Sequence, residues 1–232
     1  MTNPIRYTLA LALLGAALSV TAHASSMYIV QGIAGRNYAA ATDPAFPVDI
    51  LLNDEVCYVH GLAFGSISGP VTFLPGTYNV KVSVADSLAP CSNAPLIDKS
   101  VEIAAKTDYS AVLTLNEDGT PTLLTFTNDV TPVAANTGRL LFALAANSPA
   151  VQVILENTAT KKLYVYVAKP DALLDFTLPA GDYSVEINQG TTTLVASTSL
   201  HLYSESVSLL YAIGQASNDT VVLETRTLRD VI

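Results

Sequence analysis

Two segments of this chain repeat one another, and the repeat constrains the fold more than any other feature. Residues 74–82 read LPGTYNVKV, and residues 178–187 read LPAGDYSVEI. Their tyrosines, Tyr78 and Tyr183, stand 105 positions apart. A repeat at this spacing predicts two tandem copies of one domain, each of about 100 residues. It sets the architecture without naming an activity.

Residues within the repeat alternate between apolar and polar. Tyr78, Val80 and Val82 share one face of an extended chain, with polar side chains between them. Such alternation is typical of half-buried antiparallel strands. Pro75-Gly76 suits a type II turn and 179–181 a three-residue hairpin, so we expect two different hairpin turns. Asn116-Glu117-Asp118-Gly119 predicts a further hairpin turn.

Similar β-rich runs follow one another at intervals of about ten residues, roughly seven in each copy. The predicted fold class is all-β, with two tandem antiparallel β-sandwich domains of the immunoglobulin-like or transthyretin-like type. Barrels are the structural alternative. We place the first domain at 25–131, a linker at 132–137 and the second domain at 138–232. Each domain is expected to close its own core.

The first 24 residues have the layout of a secretory signal peptide. Arg6 precedes an apolar run over 9–20, and the small residues of 22–24 offer a cleavage site. A transmembrane anchor is the alternative, but the run is shorter than the roughly 20 residues that a bilayer crossing needs. No later stretch is long and apolar enough to span a membrane. We expect an exported protein, periplasmic or extracellular.

Charge and composition exclude some partners. The formal net charge is −9, and half of the residues are hydrophobic. Nucleic acid is an unsuitable partner because its binding depends on neutralising phosphates with basic side chains. The chain is also too apolar to be disordered.

Cys57 and Cys91 are the two cysteines, and both lie in the first copy. An exported protein meets an oxidising environment, so we expect them to form a disulfide. Two unpaired thiols are the alternative. With two cysteines and few histidines, a structural zinc site is not expected, because such sites need four ligands at short spacings.

Several segments resemble a known bacterial family. The runs VDILLN at 48–53, LAFGSIS at 62–68 and PGTYNV at 75–80 are similar to domain-of-unknown-function family 4397. In the second copy, 148–153 and 178–183 keep the outline, with Gln152 at the position of the family's aspartate. The resemblance implies an exported β-sandwich module, often in tandem, at the bacterial surface or in the periplasm. It implies no catalytic residues.

The sequence offers little that suggests catalysis. The segment 65–69, GSISG, has Ile67 where a nucleophile elbow needs serine, and no helix is expected after it. His60 and His201 lie in non-equivalent contexts, whereas a hydrolase needs one histidine set between a nucleophile and a carboxylate. We therefore expect no enzyme activity, no cofactor and no bound metal.

Two places are candidates for a binding surface. Asp49, Asn53 and Asp54 belong to the densest cluster of oxygen ligands, the type that calcium prefers, although Asn53-Asp54 is also an ordinary hairpin signal. Tyr164 and Tyr166 share one strand face, as a sugar-binding platform would require. Cross-strand packing is the alternative for the tyrosines.

These features leave three classes of function. The first is a non-catalytic structural or interaction module of the cell envelope, which presents loops or edge strands to an envelope protein or a surface polymer. The alternative is a carbohydrate- or calcium-dependent binding module. An enzyme is the third class, and it would need a pocket that joins a histidine to a carboxylate and a nucleophile.

Overall fold

The computed structural model describes residues 24–38 and 43–228, and the regular secondary structure within them is almost entirely strand. The predicted signal peptide lies outside this range except for its last residue. The first half contains β1 Ser25–Gln31, β2 Val48–Leu52, β3 Val56–Leu62, β4 Ile67–Phe73, β5 Gly76–Val84, β6 Ile97–Ile103, β7 Asp108–Leu115 and β8 Pro121–Asn128. The second half contains β9 Thr137–Leu144, β10 Val151–Asn157, β11 Leu163–Ala168, β12 Leu173–Pro179, β13 Gly181–Gln189, β14 Thr192–Leu202, β15 Val207–Ile213 and β16 Val222–Leu228. A four-residue helix α1, Gly35–Tyr38, and a 3-10 helix, Ala216–Asn218, complete the described elements.

The sequence repeat is also a repeat of topology. In the first half the strands form an outer sheet of order β3-β2-β5-β6 and an inner sheet of order β4-β1-β7-β8. The second half has an outer sheet β11-β10-β13-β14 and an inner sheet β12-β9-β15-β16, so each strand matches the one eight places before it. The described residues thus give eight strands per half, against the seven predicted.

The inner sheets are mixed, which corrects the expectation of purely antiparallel sheets. β1 runs parallel to β7, and β9 runs parallel to β15. All seven residues of β15 are buried. Parallel strands covered on both faces consist of nearly continuous apolar residues, as β15, VSLLYAI, does here. Alternation with period two predicts only strands with a single buried face.

Three hydrophobic cores explain this burial. The first lies between the sheets of the first half and includes Ile29, Ile50 and Leu113. The second lies between the sheets of the second half. The third joins the two inner sheets, with Tyr28, Val30, Val112 and Phe126 from the first half and Leu141, Ala143, Leu209, Tyr211 and Ile213 from the second. The expectation that each half closes its own core is therefore incomplete, because the halves also share one.

Polar contacts reinforce the shared core. The Ser110 hydroxyl and the Tyr211 phenol lie 2.7 Å apart in the buried interface. Ser110 donates its own proton to Asn128 Oδ1, so Tyr211 is the donor of this pair. At one end of the interface, the Gly214 amide donates to the Gly32 carbonyl at 3.1 Å. The halves therefore contact each other through hydrogen bonds as well as apolar side chains.

Arg139 helps to hold the connection between the halves against the second half. Residues 129–136 connect β8 to β9, so Thr137, the last residue of the predicted linker 132–137, already belongs to β9. Arg139 makes an ion pair with Asp129 at 2.8 Å and donates to the Thr131 carbonyl at 3.0 Å. Its side chain is largely buried, at 13% exposure. These contacts hold the connecting segment against the start of β9.

The repeated Pro-Gly segments are not hairpin turns, contrary to the prediction. Each connects the inner sheet of its half to the outer sheet, since β4 and β12 are inner strands whereas β5 and β13 are outer strands. Gly76 and Gly181 have φ values of 155° and 144°, so both lie in the region of positive φ that favours glycine. In each copy the following tyrosine hydroxyl donates to the carbonyl four residues before it. The repeat therefore marks a corner between sheets.

Candidate functional site

Asp49 is buried in the first outer sheet, and backbone donors surround its carboxylate. Its side chain lies on the outer side of β2, because Val48 and Ile50 face the first core. Oδ1 accepts a hydrogen bond from the Gly61 amide at 2.9 Å, and Oδ2 accepts bonds from the amides of Cys91 and Asp86 at 2.9 and 3.2 Å. A carboxylate that accepts three backbone bonds serves to hold those segments in place. Asp49 fixes the loop 85–96 over β2.

The predicted disulfide is present between Cys57 and Cys91, whose Cα atoms are 5.8 Å apart. It bonds the same loop 85–96 to the edge strand β3. His60 is exposed on β3, and its Nδ1 lies 3.3 Å from Cys57 Sγ. Together with Asp49, the disulfide holds the loop across the outer side of the β2–β3 pair.

Asn53 and Asp54 form the tight turn between β2 and β3. Both have left-handed backbones, with φ of 52° and 59°, the conformation of the two central residues of a type I′ turn, and Glu55 completes the three-residue loop. Asn53 Oδ1 accepts a bond from the Asn79 amide, and Asp54 pairs with Lys81 at 2.6 Å. Within the described residues, no group of three or more His, Cys, Asp or Glu side chains comes together to hold a metal ion.

The rings of Tyr164 and Tyr166 face the second core from β11. Tyr166 stacks on Phe176 of β12 with ring centroids 3.8 Å apart, and Tyr164 lies 6.2 Å from the ring of Tyr183. Burial raises the pKa of the Tyr166 phenol. The rings therefore pack between the two sheets of the second half instead of forming an outward platform.

The outward side of β11 carries three exposed apolar side chains. Leu163, Val165 and Val167 are 58%, 54% and 61% exposed, and we call them the β11 stripe. They lie beside Glu156, Ile154 and Gln152 of β10. Sequence reasoning missed this surface because β11 is apolar on both faces, and alternation alone does not say which face is covered.

β11 is also unprotected as an edge strand. Exposed edges usually carry charges, prolines or bulges that prevent pairing with another chain. Among the described edge strands, β3 and β14 have irregular registers, and the others carry charges or proline. These residues are Pro70 in β4, Asp98, Lys99 and Glu102 in β6, Pro121 in β8, Asp175 in β12, and Glu224 and Arg226 in β16. β11, with the sequence LYVYVA, has none of these and pairs with β10 over six residues without a shift.

The two halves differ at this outer edge. In the first half, loop 85–96 connects β5 to β6 and covers β2 and β3. In the second half, β13 and β14 are joined by a tight turn around Gly190, and Gln152 replaces Asp49. No loop of the described chain is therefore available there to cover β10 and β11 as loop 85–96 covers their counterparts.

A second apolar surface lies at the end of the first half. Val56, Tyr58 and Leu74 are exposed, and with Asn53 and Tyr78 they line a groove of about 270 Å³. The Tyr58 ring stacks on Phe73 at 6.0 Å. This groove combines an exposed aromatic ring with nearby polar atoms, the composition of a small ligand site.

The second histidine, His201, lies on the exposed side of β14. Its Nδ1 is 2.6 Å from Asp182 Oδ1, and its ring meets Tyr203 edge-on at 4.4 Å. His60 and His201 are thus on different halves, each exposed on a strand.

In the described part of the chain, neither short helix has the length and apolarity that a bilayer crossing demands.

Comparison with solved structures found a similarity to the Bacillus anthracis TIE protein. The identity is 11% and the TM-score 0.28, over 88% of this chain and 34% of that structure. The chain therefore spans about a third of the length of the structure that it matches. A search of curated proteins found no match.

A family model gives a more direct relationship. The model described as a domain of unknown function, DUF4397, matches residues 37–154. The matched segment begins in α1, includes β2 to β9, and ends within β10. Because this segment is half of the sequence, the chain belongs to the DUF4397 family.

Proposed function

We propose that this protein is an exported, non-catalytic interaction module of the bacterial cell envelope that presents the β11 edge to another protein. The observation that carries the proposal is the β11 stripe, which exposes three large apolar side chains on an unprotected edge strand. Exposed apolar edges of this kind pair readily with other chains. Stable disulfides are typical of exported proteins, and the Cys57–Cys91 bond supports that setting.

We further propose that the module consists of two tandem β-sandwich domains, 25–131 and 138–232, the second a divergent copy of the first. The duplicated strand order supports this division. Immunoglobulin domains combine sheets of four and three antiparallel strands. Two four-stranded sheets with a parallel β1–β7 pair differ from that arrangement, so of the two sandwich types we favour the transthyretin-like one.

A non-catalytic role agrees with the contacts of the acidic and histidine side chains, which already have partners in the fold. The Asp49 carboxylate holds a loop, the Asp54 carboxylate pairs with Lys81, and His201 pairs with Asp182. A hydrolytic site would need a histidine set between a nucleophile and a carboxylate. We infer that these groups stabilise the fold.

Capture from the cell envelope tests the proposal. Immobilised mature protein is incubated with a detergent extract of the envelope of its own cells, beside a Val165→Lys variant and a Ser199→Lys control. Ser199 is exposed on β14, at the far edge of the same sheet, so both variants add one lysine to one outer face. We expect a captured protein that Val165→Lys loses and Ser199→Lys retains. Capture that Val165→Lys leaves unchanged would contradict the use of β11.

Carbohydrate binding is a second candidate, favoured by the groove beside Tyr58. Sugars stack on exposed aromatic rings, and Tyr58 is 42% exposed at the rim. A glycan array with wild type and a Tyr58→Ala variant tests it. A signal that disappears in the variant would support this candidate, and a blank array would remove it.

A further inference from the structure

The structure points to the chemistry of the segment that β11 receives. We propose that β11 binds an extended segment of a partner protein by strand addition, and that this segment has apolar residues at alternate positions and an acidic residue at each end. This inference rests on the proposed function and specifies its partner. It is carried by the backbone of β11, the packing beneath it and the charges at its two ends.

The backbone of β11 suits strand addition. One side of the strand is paired with β10 over six consecutive residues, from Val151↔Ala168 to Glu156↔Leu163. β11 ends the sheet order, so its other side presents unpaired backbone donors and acceptors. Main-chain bonds to such an edge give affinity, and alternate side chains give specificity. An added strand would place every second side chain beside Leu163, Val165 and Val167.

The inner side of β11 is held in place before any partner arrives. Tyr166 is stacked on Phe176, Tyr164 packs near Tyr183, and Ala168 is fully buried. A strand that is already rigid loses little conformational freedom when it binds, which favours affinity. The first half shows the alternative, since its corresponding edge is bridged to loop 85–96 by a disulfide.

Both ends of β11 are basic. Lys161 and Lys162 precede the strand, and Lys169 follows it directly. Lys161 pairs with Glu156 at 3.0 Å, and Lys162 lies 4.8 Å from the centroid of the Tyr164 ring. In a chain of net charge −9, three lysines around six uncharged residues form a local positive pattern. Complementary charges steer association and fix the register, so an acidic residue at each end of the added strand is favoured.

The same lysines disfavour a second copy of this chain as the occupant. In an antiparallel pairing of β11 with itself, centred on Val165, Lys161 of each copy would lie opposite Lys169 of the other. Like charges directly opposite one another destabilise a strand pair. The pattern therefore favours a partner of opposite charge.

Two blocked peptides of nine residues test the proposal. Both alternate valine or isoleucine with threonine over their middle seven positions, and one has glutamate at both ends where the other has lysine. Calorimetric titration into the mature protein at low salt is expected to show the glutamate peptide binding about tenfold tighter, because two favourable ion pairs replace two repulsions. The difference should shrink as salt is added. Val165→Lys should abolish binding, and Ser199→Lys should leave it unchanged.

Hydrogen exchange distinguishes strand addition from simple adhesion. If the peptide adds to the sheet, the amides of β11 become protected while those of β14 do not change. Equal affinity for the two peptides, absence of binding up to about 1 mM, or unchanged exchange in β11 would overturn the proposal. Sedimentation that shows a dimer of wild type, but not of Val165→Lys, would also overturn it in favour of a second copy.

The envelope capture described above is independent of the peptides. Capture that depends on Val165 without a peptide preference would leave the proposed function standing and remove only this partner.

Discussion

The hydroxyl of Tyr183 donates a hydrogen bond to the carbonyl oxygen of Pro179 at 2.8 Å. Tyr78 makes the same bond to Leu74 at 2.9 Å. Each bond spans four residues and closes the corner where the chain leaves an inner sheet for an outer one. A tyrosine that bonds back to the nearby backbone is a known corner device of β-sandwiches. Both halves contain it, but Tyr183 is buried whereas Tyr78 is partly exposed.

Removing the Tyr183 hydroxyl is expected to destabilise the protein. Tyr183→Phe deletes one hydrogen bond and leaves the Pro179 carbonyl without its partner, which costs about 1–2 kcal/mol. Tyr78→Phe is expected to cost less, because water reaches the Leu74 carbonyl more easily. Urea unfolding followed by circular dichroism measures both changes in the free energy of unfolding. Equal losses in the two variants would contradict the role of burial.

The shared core is expected to weaken in alkali through Tyr211. Burial raises the pKa of its phenol above the ordinary value. The hydrogen bond with Ser110 lowers this pKa by a smaller amount, and the charge of Asp108 raises it slightly. The folded state therefore keeps this proton when the unfolded chain begins to lose it. This contribution to stability is complete below about pH 10 and is lost progressively at higher pH.

Tyr211→Phe isolates that contribution. Near pH 8 the variant should be less stable than wild type by about 1–2 kcal/mol, because it lacks the bond to Ser110. One pH unit above the unfolded pKa, the penalty on wild type reaches about 1.4 kcal/mol, so the difference should narrow. Denaturant titrations near pH 8 and one pH unit above the unfolded pKa measure the difference in the free energy of unfolding between the two proteins. The other tyrosines with a raised pKa, among them Tyr28, are common to both proteins and cancel. A constant difference would contradict the prediction.

The disulfide is expected to hold loop 85–96 and to stabilise the first half. Cys57→Ser should lower the free energy of unfolding by about 3–4 kcal/mol on the loop-entropy estimate. Hydrogen exchange should become faster in the loop and in β3. A Leu88→Ser variant, at the most exposed large side chain of the loop, is the matched control and should change neither. Without reductant, mass spectrometry should find no alkylated thiol, whereas two alkylated thiols would refute the bond.

Calcium is expected to leave thermal stability unchanged. The Asp49 carboxylate already accepts three backbone bonds, and Asp54 pairs with Lys81. A bound cation would raise the melting temperature by mass action. Differential scanning fluorimetry with millimolar calcium, and with magnesium as the control, measures this. A rise specific to calcium would restore the calcium-dependent binding module as a candidate.

Much of the architecture could be predicted from particular residues. The repeat around Tyr78 and Tyr183 predicted two similar halves, and the strand order of the first half recurs in the second. The predicted disulfide between Cys57 and Cys91 is present. The sequence did not reveal the parallel pairs or the shared core, because a strand such as VSLLYAI offers no polar face. The β11 stripe was hidden for a similar reason. Loop 85–96 covers the outer face of β2 and β3 in the first half, whereas the described second half has no equivalent loop over β10 and β11.

Because the two inner sheets share a core, each half depends on the other to bury its apolar residues. A fragment that ended at residue 131 would leave Tyr28, Val30 and Val112 uncovered, and a fragment that began at residue 138 would leave Leu209 and Tyr211 uncovered. Exposed apolar patches of that kind promote aggregation. A stable recombinant protein should therefore contain both halves, even though the sequence repeat predicts two domains.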